Sequence, residues 1–249
     1  MHLILTGATG LVGSGILNQM LPLIPGEISK LTILSRGPVP MAEGKPGATV
    51  IEHKNFNEYP PALLKSLEGA EGCVWAQGIA QSLVSKEDYI TITKDYPLSA
   101  AKAFSNLADN FKFVYISGTG ATTKPSMFTQ LFSVVKGECE QALLDMFKQN
   151  PAFKPYSMRP AFIDTVSDPA VRAVTAHRQV PLAHRVAGTL GPLFRTLTPG
   201  LVSPTQDIGR VAIALAMGDG RRLEGSGIAD EGRILENLAI RRIAKEGLA

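Results

Sequence analysis

Residues 3–21 read LILTGATGLVGSGILNQML, and this stretch limits the possible fold more than any other part of the chain. A short apolar run at residues 3–5 has the character of a buried strand. Gly7, Gly10 and Gly13 follow in a GxxGxxG pattern. Ile16, Leu17, Met20 and Leu21 then recur at the i, i+1, i+4, i+5 spacing of one helical face, until Pro22 and Pro25 stop the helix. Glycines between a strand and a helix allow a tight turn, bring backbone close to a pyrophosphate, and let the helix pack onto the sheet. The helix N-terminus adds N–H donors and a partial positive charge. Thr6, Gly7, Thr9, Gly10, Leu11 and Gly13 are therefore expected to hold the diphosphate of a dinucleotide. A tight turn with no ligand is the plainer alternative.

Apolar runs recur at residues 31–34, 49–51, 72–76, 113–116 and 156–158, with helix-like stretches between most of them. Strands alternating with helices imply a parallel sheet covered on both faces, so the expected fold is α/β: a doubly wound, Rossmann-type sheet with a small C-terminal elaboration on the substrate side. Beyond Pro160 the alternation fails. Residues 161–203 form a variable segment, rich in Pro, Gly, Arg and His over most of its length, of the kind that carries specificity. Ser203 and Gln206 then have capping-box spacing, with Pro204 at the first helical position and Ile208, Val211, Ala212 and Leu215 as the buried stripe. A last helix is expected around residues 234–243. With no repeat, low-complexity tract or linker, residues 1–249 are expected to form a single domain.

Composition excludes several other classes. The 249 residues are 45% apolar and 19% charged, enough for a large core, and the net charge of +3 is spread without a run of five like charges. That gives no electrostatic case for nucleic acid, so a small-molecule partner is expected. Cys73 and Cys139 are far apart and lack metal-ligand spacing, which argues against disulfides and bound metal. No apolar stretch approaches the roughly 20 residues of a membrane span, and no leader precedes the first strand, so a cytoplasmic monomer or homodimer is expected.

The end of the second strand bears on cofactor choice. An NAD-selective protein usually places a carboxylate there, where it bonds the ribose hydroxyls and repels a 2′-phosphate. This chain reads LTILSRG. The Arg36 guanidinium suits a 2′-phosphate and Ser35 adds a hydrogen bond, so NADP is expected over NAD. A solvated arginine at a strand end is the alternative.

The chain resembles the atypical or extended short-chain dehydrogenase/reductases, and within them the Tat-interacting-protein-like oxidoreductases. The motifs that carry the likeness are LTGATGLVG, LTILSR, KDYPLSAAKA, YISGTGA, VKGECE and YSMRPAF, spread over nearly the whole chain. The resemblance implies that Ala76, Gln77 and Gly78 line the cofactor ribose and nicotinamide, and that Ser117 orients a substrate carbonyl. It implies that Lys136 holds the nicotinamide ribose, and that Arg159, Pro160 and Ala161 lie beside the nicotinamide. Asn55 and Phe56 stand where many relatives have Asp and an apolar residue near the adenine.

One departure is serious. The family lysine closes a YxxxK motif, and here the residue four before Lys136 is Phe132. That tyrosine passes a proton to the carbonyl as hydride arrives, and losing such an acid removes roughly 10²- to 10⁴-fold in rate. None of Tyr59, Tyr89, Tyr96, Tyr115 and Tyr156 has a lysine four residues later. Replacement hydroxyls are Ser117, Ser126, Thr129 and Ser133. His177 and His184 of the variable segment are candidate acids and, with Phe132, candidate substrate-pocket residues. Arg172, Arg178, Arg185 and Arg195, interleaved with Val186, Leu190, Leu193 and Phe194, suit an acidic substrate, a pocket wall or a subunit contact. Two readings result: an NADP-dependent oxidoreductase acting on a small carbonyl, enone or imine, or a non-redox protein on the same fold, whether regulator, interaction module, isomerase or cyclase.

Overall fold

The structure, a computed structural model, describes residues 1–176 and 198–248. Its centre is a sheet in the order β3-β2-β1-β4-β5-β6-β10-β9. The strands are β1 (His2–Thr6), β2 (Lys30–Ser35), β3 (Ala48–Glu52), β4 (Ala70–Trp75), β5 (Phe111–Ile116), β6 (Phe153–Arg159), β9 (Ile228–Ala229) and β10 (Ile234–Glu236). All pair in parallel except β9, which runs antiparallel to β10. A separate parallel pair joins β7 (Phe162–Asp164) to β8 (Val202–Pro204). This is the expected Rossmann-type sheet. Its order reverses between β1 and β4, which opens a crevice at the carboxyl ends of those strands.

Successive side chains point to opposite faces of a strand, and that period of two divides the interior. Leu3, Leu5, Leu31, Ile33, Val74, Val114, Tyr156 and Met158 face one side, where they pack with α1 (Leu11–Met20), α7 (Thr205–Met217) and α8 (Asn237–Glu246). Ile4, Leu34, Cys73, Trp75, Phe113, Tyr115 and Phe153 face the other, against α4 (Tyr96–Phe104) and α5 (Leu131–Gln149). The stripe expected on α7 is buried as predicted. Both cysteines are buried and free, and no cluster suited to a metal occurs among the described residues. No helix there is long and apolar enough to cross a membrane.

Two local expectations are corrected. Ser203 does not cap a helix: it lies in β8, its hydroxyl accepts from the Ala161 N–H (2.7 Å) and donates to Asn237 Oδ1 (2.5 Å). Gln206 instead reaches the Ser167 carbonyl, and Pro204 stands at the N-cap with no side-chain cap. The expected last helix begins three residues late because residues 234–236 add a strand beside β6 before α8 starts. A short apolar run at a sheet edge reads the same either way until its neighbour is known.

His2, at the amino end of β1, lies 2.9 Å from the Thr32 hydroxyl. Burial first, and the Lys30 charge second, pull its imidazole down to about 4. In the unfolded chain it titrates near about 6.5, so the unfolded state takes up the proton first as pH falls. His2 thus contributes stability fully above the unfolded value and loses it towards the folded one, at about 1.4 kcal/mol per pH unit. We predict that His2→Gln flattens the acid limb of a stability profile from urea unfolding between about pH 6.5 and 4; an unchanged limb would remove His2 from the acid response.

Candidate functional site

The turn after β1 is held by sterics. Gly7 has φ +69°, and a Cβ on it would stand 2.4 Å from the Ala76 carbonyl oxygen; one on Gly13 would stand 2.0 Å from the Gly7 carbonyl oxygen. Both distances are impossible for a side chain, so glycine lets α1 close onto the turn and the turn close onto the end of β4. Gly10 starts α1 with no side-chain cap, leaving the first helical N–H groups directed at the crevice. Leu11 is exposed there, Thr9 partly so, and the Thr6 hydroxyl is buried without a partner.

Ala76, Gln77 and Gly78 follow β4 at the same end of the sheet, with Gly78 exposed and open space where its Cβ would be. Ser35 and Arg36 end β2; the Ser35 hydroxyl accepts from the Gly37 N–H, and Arg36 is exposed. Asn55 is exposed, and its side-chain oxygen accepts from the Asn57 N–H. The Phe56 ring is fully buried among His53, Trp75 and Tyr96, so only its backbone can face a ligand. Pro160 is buried and Ala161 is tied to Ser203, while the Pro160 carbonyl accepts from Thr119 N–H. His177 and His184, like Arg178, Arg185, Arg195, Val186, Leu190, Leu193 and Phe194, lie outside the described residues.

Ser117 and Lys136 come together. Ser117 follows β5, is 3% exposed, and donates its N–H to the Met158 carbonyl, yet its hydroxyl has no hydrogen-bond partner. Lys136 on α5 donates to the Ser117 carbonyl at 2.5 Å. Burial pulls the Lys136 ammonium down to about 8, against the raising influence of Glu140. Phe132 is one turn earlier on the same helical face; it is partly exposed, and its N–H donates to Gln81 Oε1 (3.1 Å).

Sequence reasoning placed Glu138 and Glu140 near Lys136 only as neighbours on a solvated helix, and the structure gives Glu140 a different part. Glu140 is 1% exposed and receives the Arg159 guanidinium in a fork, from Nε at 3.0 and 3.1 Å and from Nη2 at 2.5 Å; Nη1 reaches Glu236 at 2.7 Å. This cluster ties α5 to β6 and β10. A glutamate four residues after Lys136 was visible, but its partner is 19 positions away and only the fold pairs them. A π-helical turn, Thr91–Asp95, precedes α4; its Thr93 carbonyl accepts from the Tyr115 hydroxyl (2.9 Å), and Lys94 bonds Glu138 of α5 (2.9 Å). Such turns are frequent at functional sites.

The glycine turn, the uncapped helix, two buried hydroxyls without partners and a half-buried lysine all lie at the carboxyl end of one sheet. These residues fit a dinucleotide.

No family model matches the chain. It is 33% identical over 261 residues to leucinostatins biosynthesis cluster protein T of Purpureocillium lilacinum, covering 97% of this chain and 94% of that one. It is 36% identical over 154 residues to botcinic acid biosynthesis cluster B protein 16 of Botryotinia fuckeliana, covering 59% of this chain and 96% of that one. Among solved structures it resembles a short-chain dehydrogenase/reductase of Saccharomyces cerevisiae (TM-score 0.65, 14% identity, 95% of both chains). It also resembles the enzyme WbmF of Bordetella bronchiseptica in complex with NAD+ (TM-score 0.64, 15% identity, 100% and 79%). A third is the PhqB reductase domain of Penicillium fellutanum (TM-score 0.64, 16% identity, 86% and 64%). These likenesses show the short-chain dehydrogenase/reductase fold.

Two substitutions separate structure from function here. Ser117→Ala removes a hydroxyl with no bond to lose, so it should change unfolding free energy by less than about 0.5 kcal/mol or raise it. Glu140→Ala takes the fork from a guanidinium that is mostly buried and leaves it Glu236 alone, and should cost about 1.5–3 kcal/mol by urea unfolding. A destabilising Ser117→Ala would give that hydroxyl a structural partner instead.

Proposed function

Because the chain belongs to the same family as leucinostatins biosynthesis cluster protein T, we propose that it is an NADP-dependent oxidoreductase of the atypical, Tat-interacting-protein-like short-chain type, acting in the assembly of a natural product. Its substrate is a small organic carbonyl, enone or imine. The single observation that carries this reading is the buried, unpartnered Ser117 hydroxyl beside Lys136, at the strand ends that the glycine turn opens. An unmade hydrogen bond in a buried hydroxyl is costly, and a substrate oxygen would satisfy it.

In this reading Gly7, Gly10, Gly13 and the start of α1 bind the diphosphate, with Thr6, Thr9 and Leu11 around it. Arg36 and Ser35 receive the 2′-phosphate, and Asn55 with the Phe56 backbone border the adenine. Ala76, Gln77, Gly78, Pro160 and Ala161 flank the ribose and nicotinamide, which supplies hydride when bound. Lys136 bonds the ribose, Ser117 orients the substrate oxygen, and Phe132 lines the pocket. Residues 161–203 supply specificity.

Phe132 favours a second reading: cofactor retained, redox chemistry abandoned, and the pocket used for binding, isomerisation or cyclisation. Fold likeness does not choose between the two, since one scaffold hosts many activities.

The deciding measurement is fluorescence titration with NADPH and NADH, followed by turnover on a panel of aldehydes, ketones, enones and imines. We expect NADPH to bind at least ~10-fold more tightly than NADH, with the difference collapsing in Arg36→Ala. Turnover by the natural sequence, lost in Ser117→Ala, is the expected second result. Turnover seen only in Phe132→Tyr would favour the non-redox reading, and failure to bind either nucleotide would sink both.

A further inference from the structure

The proton that the missing tyrosine would deliver needs another source, and the described residues narrow the choice. Tyr115 gives its hydroxyl to the Thr93 carbonyl, and Tyr156 gives its own to the Arg221 carbonyl. Tyr59 packs on His53 and Phe104, and burial pushes its unpartnered hydroxyl well up, away from useful acidity; Tyr96 packs on Phe56. Tyr89 is buried in the short helix Lys86–Ile90, and burial pushes its hydroxyl up, away from useful acidity. His2 is at the opposite end of the sheet, and His53 packs edge-on to Phe56. Ser133 is buried facing Gly120, and an unassisted serine hydroxyl is a poor acid.

Lys136 differs from all of these in its partner. Glu140, the carboxylate nearest along its helix face, has both oxygens taken by Arg159. Lys94, which also approaches α5, is paired with Glu138. The Lys136 ammonium is left with a neutral acceptor, the carbonyl of the same Ser117 whose hydroxyl is unpartnered. A protonated amine thus sits against the residue expected to hold the substrate oxygen, with no carboxylate fixing its proton.

We propose that Lys136 is the general acid of this protein, donating the proton that a tyrosine donates in the enzymes it resembles. This deepens the oxidoreductase reading and rests on it. A bound reduced nicotinamide would supply hydride to the substrate carbonyl carbon, which leaves the C=O bonding pair on oxygen. A proton leaves the Lys136 ammonium for that oxygen, directly or through the Ser117 hydroxyl, which gives one proton as it takes another. The products are an alcohol and a neutral amine, and solvent restores the ammonium.

The groups facing Lys136 set its acidity. Burial lowers it; Glu140 and Cys139 on α5 raise it, and Arg159 of β6 cancels much of the Glu140 charge. Tyr115 of β5 is neutral, since burial pushes its hydroxyl well up, and Lys94 of the π turn is spent on Glu138. The ammonium at about 8 is therefore mostly protonated at neutral pH and near the range in which proton donation is efficient. Reduction should slow as pH rises through that value.

The test has one readout on the free protein and one on the complex. Competitive acetylation with acetic anhydride, read by peptide mass spectrometry, should give Lys136 a midpoint near about 8, against about 10.4 for exposed lysines, and NADPH should protect it. Turnover of 4-nitrobenzaldehyde and 2-cyclohexenone with NADPH should fall along the same curve. Lys136→Arg, which keeps charge and ribose hydrogen bonds but holds its proton, should bind NADPH within ~3-fold of the natural sequence while losing roughly 10²-fold or more in kcat. Lys136→Cys alkylated with bromoethylamine restores a less basic amine, and should recover turnover with the pH curve moved to lower pH; the buried Cys73 and Cys139 are poor competitors for the reagent. A labelling midpoint above about 10 overturns the proposal even if neither probe turns over. So does turnover that survives Lys136→Arg, or that is abolished by Tyr89→Phe. In those cases NADPH binding and turnover by the natural sequence would leave the oxidoreductase reading standing, whereas loss of NADPH binding would remove it.

Discussion

The close approach of three backbone segments, the turn after β1, the start of α1 and the end of β4, is the constraint on which the rest of this structure depends. Gly7 and Gly13 meet with no room for a Cβ, and Gly7 meets Ala76 in the same way. That contact sets α1 against the sheet, where it packs on α7, and it directs an uncapped helix terminus into the crevice where strand order reverses. A larger residue at either glycine would have to push α1 away from β1. The uncapped helix end and the packing of one whole core layer thus share one steric cause.

The second fixed point is electrostatic. Arg159 joins α5, β6 and β10 through Glu140 and Glu236, and in doing so it settles what Lys136 can do. With Glu140 committed to a fork, Lys136 one turn earlier has no carboxylate to pair with and turns to the Ser117 carbonyl instead. A buried ion pair gives little net stability, because desolvation offsets most of its attraction. Its effect here is positional: it holds the helix that carries Lys136 against β6, the strand that pairs with the one preceding Ser117.

Most of the fold was legible because its signals are local. Alternating apolar strands, the glycine spacing and the α7 stripe each depend on near neighbours in sequence, and each appears where local physics puts it. The failures share a different character. Ser203 met every local criterion for a cap, yet Ala161 and Asn237, both distant in sequence, claim its hydroxyl. Residues 234–236 became a strand because β6 presents an open edge there. At the site, the neighbourhood of Ser117 and Lys136 followed from family resemblance, whereas the Glu140–Arg159 fork needed the third dimension.

The state of Lys136 also bears on why it is a lysine at all. A half-buried ammonium with only a carbonyl for a partner is destabilising relative to an apolar side chain of similar length, and the same loss of solvation lowers its basicity. A helix needed only for packing would be more stable with methionine or leucine there. The same holds for Ser117, whose buried hydroxyl bonds nothing while alanine would fit its place. Two adjacent polar side chains that each lower stability therefore sit side by side at the carboxyl end of the sheet. Phe132, one turn before Lys136, brings no hydroxyl to that pair, which leaves it the Ser117 hydroxyl and the Lys136 ammonium alone.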